Sequence, residues 1–382
     1  MNLVQMSSVA RKIIAGTIIF VLLLIVFYIS RPGLQKIYLS LFPPDDPPTP
    51  IFGLLEPLEF IEKRVVNPTI RFELNTQSGR LPGNIPEKLT VYTYVESGFS
   101  FSAGKDAQRD ASVLGFTDAD LTSNLEGDVY TWRNAQFGSE LEIIINTGEL
   151  EKITNLTNKG TLYPTGILTA QEAIKVAEEL VTNLNRYEDE LYIEGSKNVT
   201  LGKFVRGEIL ETSTALDAQI AKVDFTRKIK TYPILGPDPT EGLMTVTLGM
   251  RGRGNVDFLN VKANYWEINP TSNATYPIIS VTEAWNAVSS GQGVIASVTS
   301  NDKSPFEEYK PLRVERVLIN KIYIAYYDSK KPQKYLQPIY VFEGNYISSG
   351  DEGDIVIYFP ALDGSYIKEN STNNSGSDDP LF

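Results

Sequence analysis

The chain of 382 residues has no cysteine and no histidine. Without cysteine there is no disulfide framework, no thiolate nucleophile and no thiolate-held zinc or iron–sulfur centre. Without histidine the commonest general base and the commonest metal ligand are missing as well. Ser-His-Asp hydrolysis, Cys-His chemistry and HExxH metal sites are therefore excluded. What stays open is carboxylate, lysine or tyrosine chemistry, oxygen-ligated cations, or no chemistry at all. Positive charge is also short: 35 Lys and Arg stand against 47 Asp and Glu, a net charge of −12. From Arg31 onward the balance is 33 basic to 47 acidic residues, or −14. A surface so acidic repels nucleic acid and anionic lipid headgroups, which argues against a nucleic-acid partner.

Among the things present, one long apolar run stands out. Ile13–Ile29 (IIAGTIIFVLLLIVFYI) carries no charge and is bracketed by Arg11-Lys12 and Arg31. As a helix it spans about 26 Å, close to a hydrocarbon core of about 30 Å, with Tyr28 placed for the headgroup layer. It is longer than the 7–15 apolar residues of a signal peptide, and Ser30-Arg31-Pro32-Gly33 supplies no small-x-small cleavage site. The pattern predicts a transmembrane helix over 13–30. The basic residues before it favour a cytoplasmic N-terminus (1–12) and an extracytoplasmic C-terminal region, as in a single-pass cell-membrane protein. Five prolines in the eight residues Pro43–Pro50 read as an extended spacer within 31–52, and Asn370–Asp379 (NSTNNSGSDD) as part of a disordered tail, 369–382.

Between spacer and tail a capped helix followed by antiparallel strands recurs. Thr169 with Glu172, and Ser280 with Glu283, are capping boxes opening helices over Thr169–Leu184 and Ser280–Ser289. A third helix is expected at Lys105–Leu114, ended by Gly115. Strand-like alternation follows at Gly127–Arg133, Leu141–Asn146 and Glu149–Thr154. It returns at Lys222–Ile229, Leu243–Met250 and Val256–Ile268, and again at Val314–Tyr327, Leu336–Glu343 and Ile355–Phe359. The pattern predicts an α+β fold: a transmembrane helix, then three units of a helix packed on antiparallel sheet, at 53–160, 161–275 and 276–368.

The capped helix, the hairpin and the strand ending at Thr147-Gly148-Glu149-Leu150 resemble the PepSY domain. The larger arrangement, with Tyr276–Gly293 and Ile322–Gly344, is similar to the YycH/YycI-type regulators of Gram-positive bacteria. That resemblance implies no catalytic residues and no cofactor. It implies a regulatory protein that works by contact with an envelope or membrane protein, a sensor kinase or a protease.

Other clusters have plainer readings. Asp118/Asp120, Glu188-Asp189-Glu190 and Asp351-Glu352-Gly353-Asp354 put acids together without the spacing of a calcium loop or a set glycosidase pair, and read as solvated turns. Arg251-Gly252-Arg253-Gly254 lacks a phosphate-loop pattern and reads as a hairpin turn; Lys330-Lys331 reads as turn charge. Asn155, Asn198, Asn273 and Asn370 head N-x-[ST] sequons. Of the 20 tyrosines, Tyr323, Tyr326, Tyr327, Tyr335 and Tyr340 cluster on the late strands and are the expected partner-binding residues, with ordinary sheet packing as the alternative, since alternate members of a strand point to opposite faces. Two other functions remain open at this stage: a structural or self-associating surface component, and a carboxylate-dependent envelope glycan hydrolase.

Overall fold

The computed structural model describes residues 47–66, 69–95, 102–122, 128–156, 164–186, 191, 197–206, 208–252, 255–263, 266–307 and 309–369. Strands dominate. The first are β1 (Arg71–Leu74), β2 (Lys88–Tyr94), β3 (Val129–Asn134), β4 (Ser139–Ile144) and β5 (Glu149–Thr154). Next come β6 (Lys197–Val205), β7 (Glu208–Glu211), β8 (Ile220–Phe225), β9 (Arg227–Ile229), β10 (Tyr232–Leu235), β11 (Met244–Arg251) and β12 (Asn255–Ala263). The last are β13 (Ile268–Pro277), β14 (Val294–Ser300), β15 (Arg316–Tyr327), β16 (Tyr335–Ser348) and β17 (Asp351–Pro360). Three helices accompany them: α1 (Ala103–Val113), α2 (Ala170–Asn183) and α3 (Val281–Ser289).

Local sequence explains the helix starts. In α2, Thr169 accepts from Glu172 N–H while Glu172 accepts from Thr169 N–H at 3.0 Å; Ser280 and Glu283 repeat this at α3, also at 3.0 Å. α2 buries Ala173, Ala177, Leu180 and Val181, one stripe at helical spacing. Each buried Leu or Val there contributes about 1.5–3 kcal/mol relative to exposure.

The strands form two sheets. The first is antiparallel, in the order β3-β4-β5-β12-β11-β8-β6-β7. Its Trp132, Leu141, Val223 and Val246 face α1 and α2 in one core. The second is built on the long β15–β16 hairpin, and both edges of that ribbon are shared. Along β16, β2 pairs at Tyr335–Leu336 and β17 takes over from Ile339 to Ser348. Along β15, β1 pairs parallel at Arg316–Ile319 and β10 pairs parallel at Tyr326–Tyr327. One face of the ribbon packs Ile319, Ile324 and Phe342 under Ala284 and Val288 of α3; the other packs Ala325, Ile339, Val341 and Tyr358. Tyr335 to Phe342 are buried without interruption, so this strand shows no apolar–polar alternation, and its buried Gln337 donates to Glu56 O at 2.8 Å.

The fold departs from the expected α+β class. Instead of an N-terminal transmembrane helix and helix-on-sheet units in series, the described chain is mainly β, with two large sheets and three short helices. The reason lies in the strand pairing. β1 and β2 precede α1 in sequence yet join β15, β16 and β13, and β9 and β10 leave the first sheet for the second. Repeated helix-plus-hairpin motifs are thus spliced into shared sheets.

The membrane expectation is corrected as well. Among the described residues no helix is long and apolar enough to cross a membrane. The longest, α2, has 14 residues, about 21 Å, and bears Glu172, Lys175, Glu178 and Glu179. The span expected at 13–30 lies outside the described residues, as do the N-terminus 1–12, most of the proline spacer and nearly all of the tail. The single-pass membrane localisation, with its cytoplasmic and extracytoplasmic sides, is therefore not supported by the described residues.

Candidate functional site

The tyrosines expected to meet a partner divide sharply by environment. Tyr326, Tyr327, Tyr335 and Tyr340 are buried. Tyr326 donates to Thr90 O at 2.5 Å, Tyr327 to Glu59 O at 3.1 Å and Tyr340 to Ile279 O at 2.7 Å, so each hydroxyl ties β15 or β16 to a neighbouring segment. Tyr335 stacks on Phe52 with ring centroids 5.1 Å apart. Burial pushes the phenols of Tyr327 and Tyr340 up to about 12, so they stay neutral donors at ordinary pH. Only Tyr323 keeps part of its surface. Its hydroxyl donates to Glu343, and Lys321 Nζ lies 4.3 Å from its ring centre. Burial, then the bond to Glu343, holds its phenol well above the usual range.

Tyr323 lines a cavity of about 560 Å³ together with Lys321, Ile322 and Ile324 of β15, Thr231, Tyr232 and Pro233 of β10 and its approach, and the Pro82–Pro86 segment. Its origin is an interrupted ladder. β1 covers the outer edge of β15 up to Ile319, with Asn75 N–H continuing to Ile319 O at 2.8 Å, and β10 resumes at Tyr326. Among the described residues no strand pairs with Asn320 to Ala325 on that edge, six residues or roughly 20 Å of strand, although Tyr232 and Pro233 of β10 lie along the end nearest Tyr326.

The pairing pattern identifies which groups are left open. Asp328 N–H donates to Leu235 O at 2.8 Å, and Ile234 stands opposite Tyr326, so even-numbered residues there turn their main chain toward β10. Next to β1 it is odd-numbered Glu315 and Ile319 that do so. A bulge between Ile319 and Lys321 makes the switch. The N–H and C=O groups of Ile322 and Ile324 therefore point into the cavity. Evenly spaced parallel bonds would bring the residue 233 amide to Ile324 O, but residue 233 is proline and has no N–H. Pro82 and Pro86 on the facing wall lack that donor too.

A second recess, about 320 Å³, lies along the face of the first sheet opposite α1 and α2. A polar row runs across it, strand to strand: Glu142, Glu151, Lys262, Thr245, Asp224 and Asn198. Glu149, Asp238 and Glu241 join Glu142 and Glu151 in its walls. Lys262 offsets the crowding, reaching Glu241 at 3.4 Å, and burial raises the Glu149 carboxyl above its ordinary value. A third recess of about 360 Å³ contains Lys152, whose ammonium donates to Leu114 O at 2.9 Å at the end of α1 and lies 5.3 Å from the Phe116 ring centre. Burial lowers this lysine to about 8. A lysine on a helix's last carbonyls is a capping arrangement.

The remaining sequence candidates are structural in their contacts. Asp120 closes a turn by accepting from Thr117 N–H and Oγ, both at 2.8 Å. Asp351 to Asp354 open β17 rather than forming a turn; Asp351 accepts from Ser300 at 2.7 Å and Tyr346 at 2.9 Å. Glu188-Asp189-Glu190 and Arg253-Gly254 lie outside the described residues, while Arg251 pairs with Asp257 at 3.1 Å. Among the described residues no group of three or more acidic side chains is arranged to hold a metal ion. The open β15 edge was not visible in sequence; the prolines at 82, 86 and 233 are its only written trace.

No family model matches the chain, and no curated protein matches it. Among solved structures, the crystal structure of an uncharacterised protein from Eubacterium rectale is similar over 78% of this chain and 91% of its own, at 10% identity and a TM-score of 0.40.

Proposed function

We propose that this chain is a non-catalytic binding protein that engages another protein through the Tyr323-bearing edge of β15 and so adjusts that partner's activity. The observation that carries this reading is the interrupted ladder, which leaves main-chain groups of a central strand facing an open cavity. Unpaired strand edges are strong protein-contact features because their bonding capacity is unspent. A kinase or protease as the kind of partner rests on the sequence resemblance of Tyr276–Gly293 and Ile322–Gly344 to YycH/YycI-type regulators, not on the fold. The test is photocrosslinking of the full-length chain in its own cells, with the crosslinker placed at Tyr323 and, as a control, at Arg133, which is well exposed on β3. The expected result is one recurrent protein adduct at 323 and none at 133. Equal adducts at both positions, or none at 323, overturn it.

A second reading has one observation in its favour. The recess beside Glu142, Glu149 and Glu151 gathers carboxylates, one of them raised by burial, as a general acid in glycan hydrolysis requires. Release of reducing ends from a panel of polysaccharides, abolished by Glu149→Gln, tests it.

A further inference from the structure

We propose, resting on the protein-binding reading above, that the β15 slot accepts an extended segment of the partner as an added strand, and that this segment alternates apolar with acidic residues. Two features of the slot define that class. The first is main-chain chemistry. Ile322 and Ile324 offer N–H donors and C=O acceptors at a two-residue repeat, and an extended backbone matches that repeat group for group.

The second is how the two faces differ. A strand in the slot sends successive side chains to opposite faces of the sheet. On one face it meets Ile322 and Ile324 with Ile85 and Tyr232, members of the apolar core under α3. On the other it meets Lys321 and Tyr323, and the slot lining contains this lysine and no carboxylate, in a chain of net charge −12. β1, immediately upstream along the same edge, already has this composition. Its Phe72 and Leu74 pack into that apolar core, while Glu73 between them binds Arg316 at 2.9 and 3.1 Å. An incoming strand continues the Phe72-Glu73-Leu74 pattern, with its acid on Lys321. The Lys321–Glu343 pair, 3.2 Å apart with the lysine largely exposed, is a surface ion pair of small worth and yields readily to that acid.

The probe is a fluorescein-labelled pentapeptide, Val-Glu-Leu-Glu-Val, titrated against the full-length chain by fluorescence anisotropy. Saturable binding is expected. N-methylation at alternate amides, those facing β15, should weaken it about tenfold or more, while methylation at the intervening amides leaves it unchanged. Lys321→Glu should reverse the preference in favour of Val-Lys-Leu-Lys-Val. Pro233→Val, which restores the amide that meets Ile324 O, should lower affinity by a similar factor. Should that variant fail to fold, the methylation series on the unaltered chain decides. No saturable binding, or equal tolerance of methylation at every amide, overturns the inference. If crosslinks at Tyr323 persist in that case, the partner surface stands and only the strand mode falls; if they are absent too, both fall.

Discussion

The Arg227 guanidinium lies against the Asp328 carboxylate with neither side chain exposed to solvent beyond 2%. Around the pair, Tyr94 donates to Asp328 Oδ1 at 2.9 Å, Arg227 donates to Trp266 O at 2.8 Å, and the Trp266 indole donates to Ser329 O at 3.0 Å. Arg227 stands where the chain leaves β8 of the first sheet for β9 of the second, and Trp266 where it leaves β12 for β13. The network therefore fixes two of the crossings between sheets. Removing one partner leaves the other charge buried, which costs about 3–5 kcal/mol. Asp328→Ala should lose that much in urea denaturation, whereas Arg227→Met with Asp328→Leu should recover most of it. Equal losses in the single and double variants would show that packing, not charge, is what the site supplies.

Lys152 gives a pH signature of opposite sign to most buried groups. Its amine titrates near 8 in the folded chain against about 10.4 when unfolded, because burial disfavours the ammonium. Between those values the unfolded chain binds more protons, so stability rises with pH. Below 8 both states are charged and the full cost is present. The rise amounts to about 3 kcal/mol across the interval. Subtracting the stability–pH curve of Lys152→Met from that of the unaltered chain isolates it. A difference curve that stays flat between pH 8 and 10 would mean that the bond to Leu114 O and the Phe116 ring already offset the burial.

The tyrosines set the alkaline limit. Tyr327 and Tyr340 hold their protons to about 12, chiefly because burial disfavours the phenolate. Their stabilisation relative to the unfolded chain is complete below pH 10 and is lost as pH rises through 12. Phenolate absorbance should lag behind that of free tyrosine and then rise together with unfolding. Tyr340→Phe should leave the fold intact, remove the bond to Ile279 O, and shrink the lagging fraction.

Local signals were legible and long-range ones were not. The capping boxes at Thr169/Glu172 and Ser280/Glu283 fixed two helix starts, because a cap is written within four residues. Glu149–Thr154 matched β5 residue for residue, and β15 was placed within two residues. Sheet membership was hidden. β1 is only Arg71–Leu74, and its partner lies more than 240 residues away at Arg316–Ile319; nothing local states that pairing. The tyrosines on β15 and β16 look alike in sequence, yet the alternation of faces decides nothing when both faces are covered. Tyr326 and Tyr327 point to opposite sides and both are buried, so the open position at Tyr323 depends on which neighbouring strand stops short.

The bulge that aims Ile322 and Ile324 into the slot sits against a single glycine. Gly344 of β16 stands opposite Ile319, the last residue before the register shift. A Cβ there would meet Leu318 O at 2.0 Å and Ile319 Cα at 2.9 Å, both main-chain atoms with no side-chain freedom to yield. Gly344→Ala must therefore push β15 and β16 apart at the bulge, a backbone distortion costing about 1–3 kcal/mol. Relief can come by expelling the bulge, which returns the odd-numbered residues of β15 to the outer edge and turns the Ile322 and Ile324 amides inward. The variant should lose stability in urea and lose crosslinking at position 323 together. Hydrogen exchange separates this from general loosening, because amide protection on β11 and β12, in the other sheet, should remain as before. If stability falls and capture at Tyr323 persists, the bulge does not set the slot, and the cavity beside Pro82–Pro86 has some other determinant.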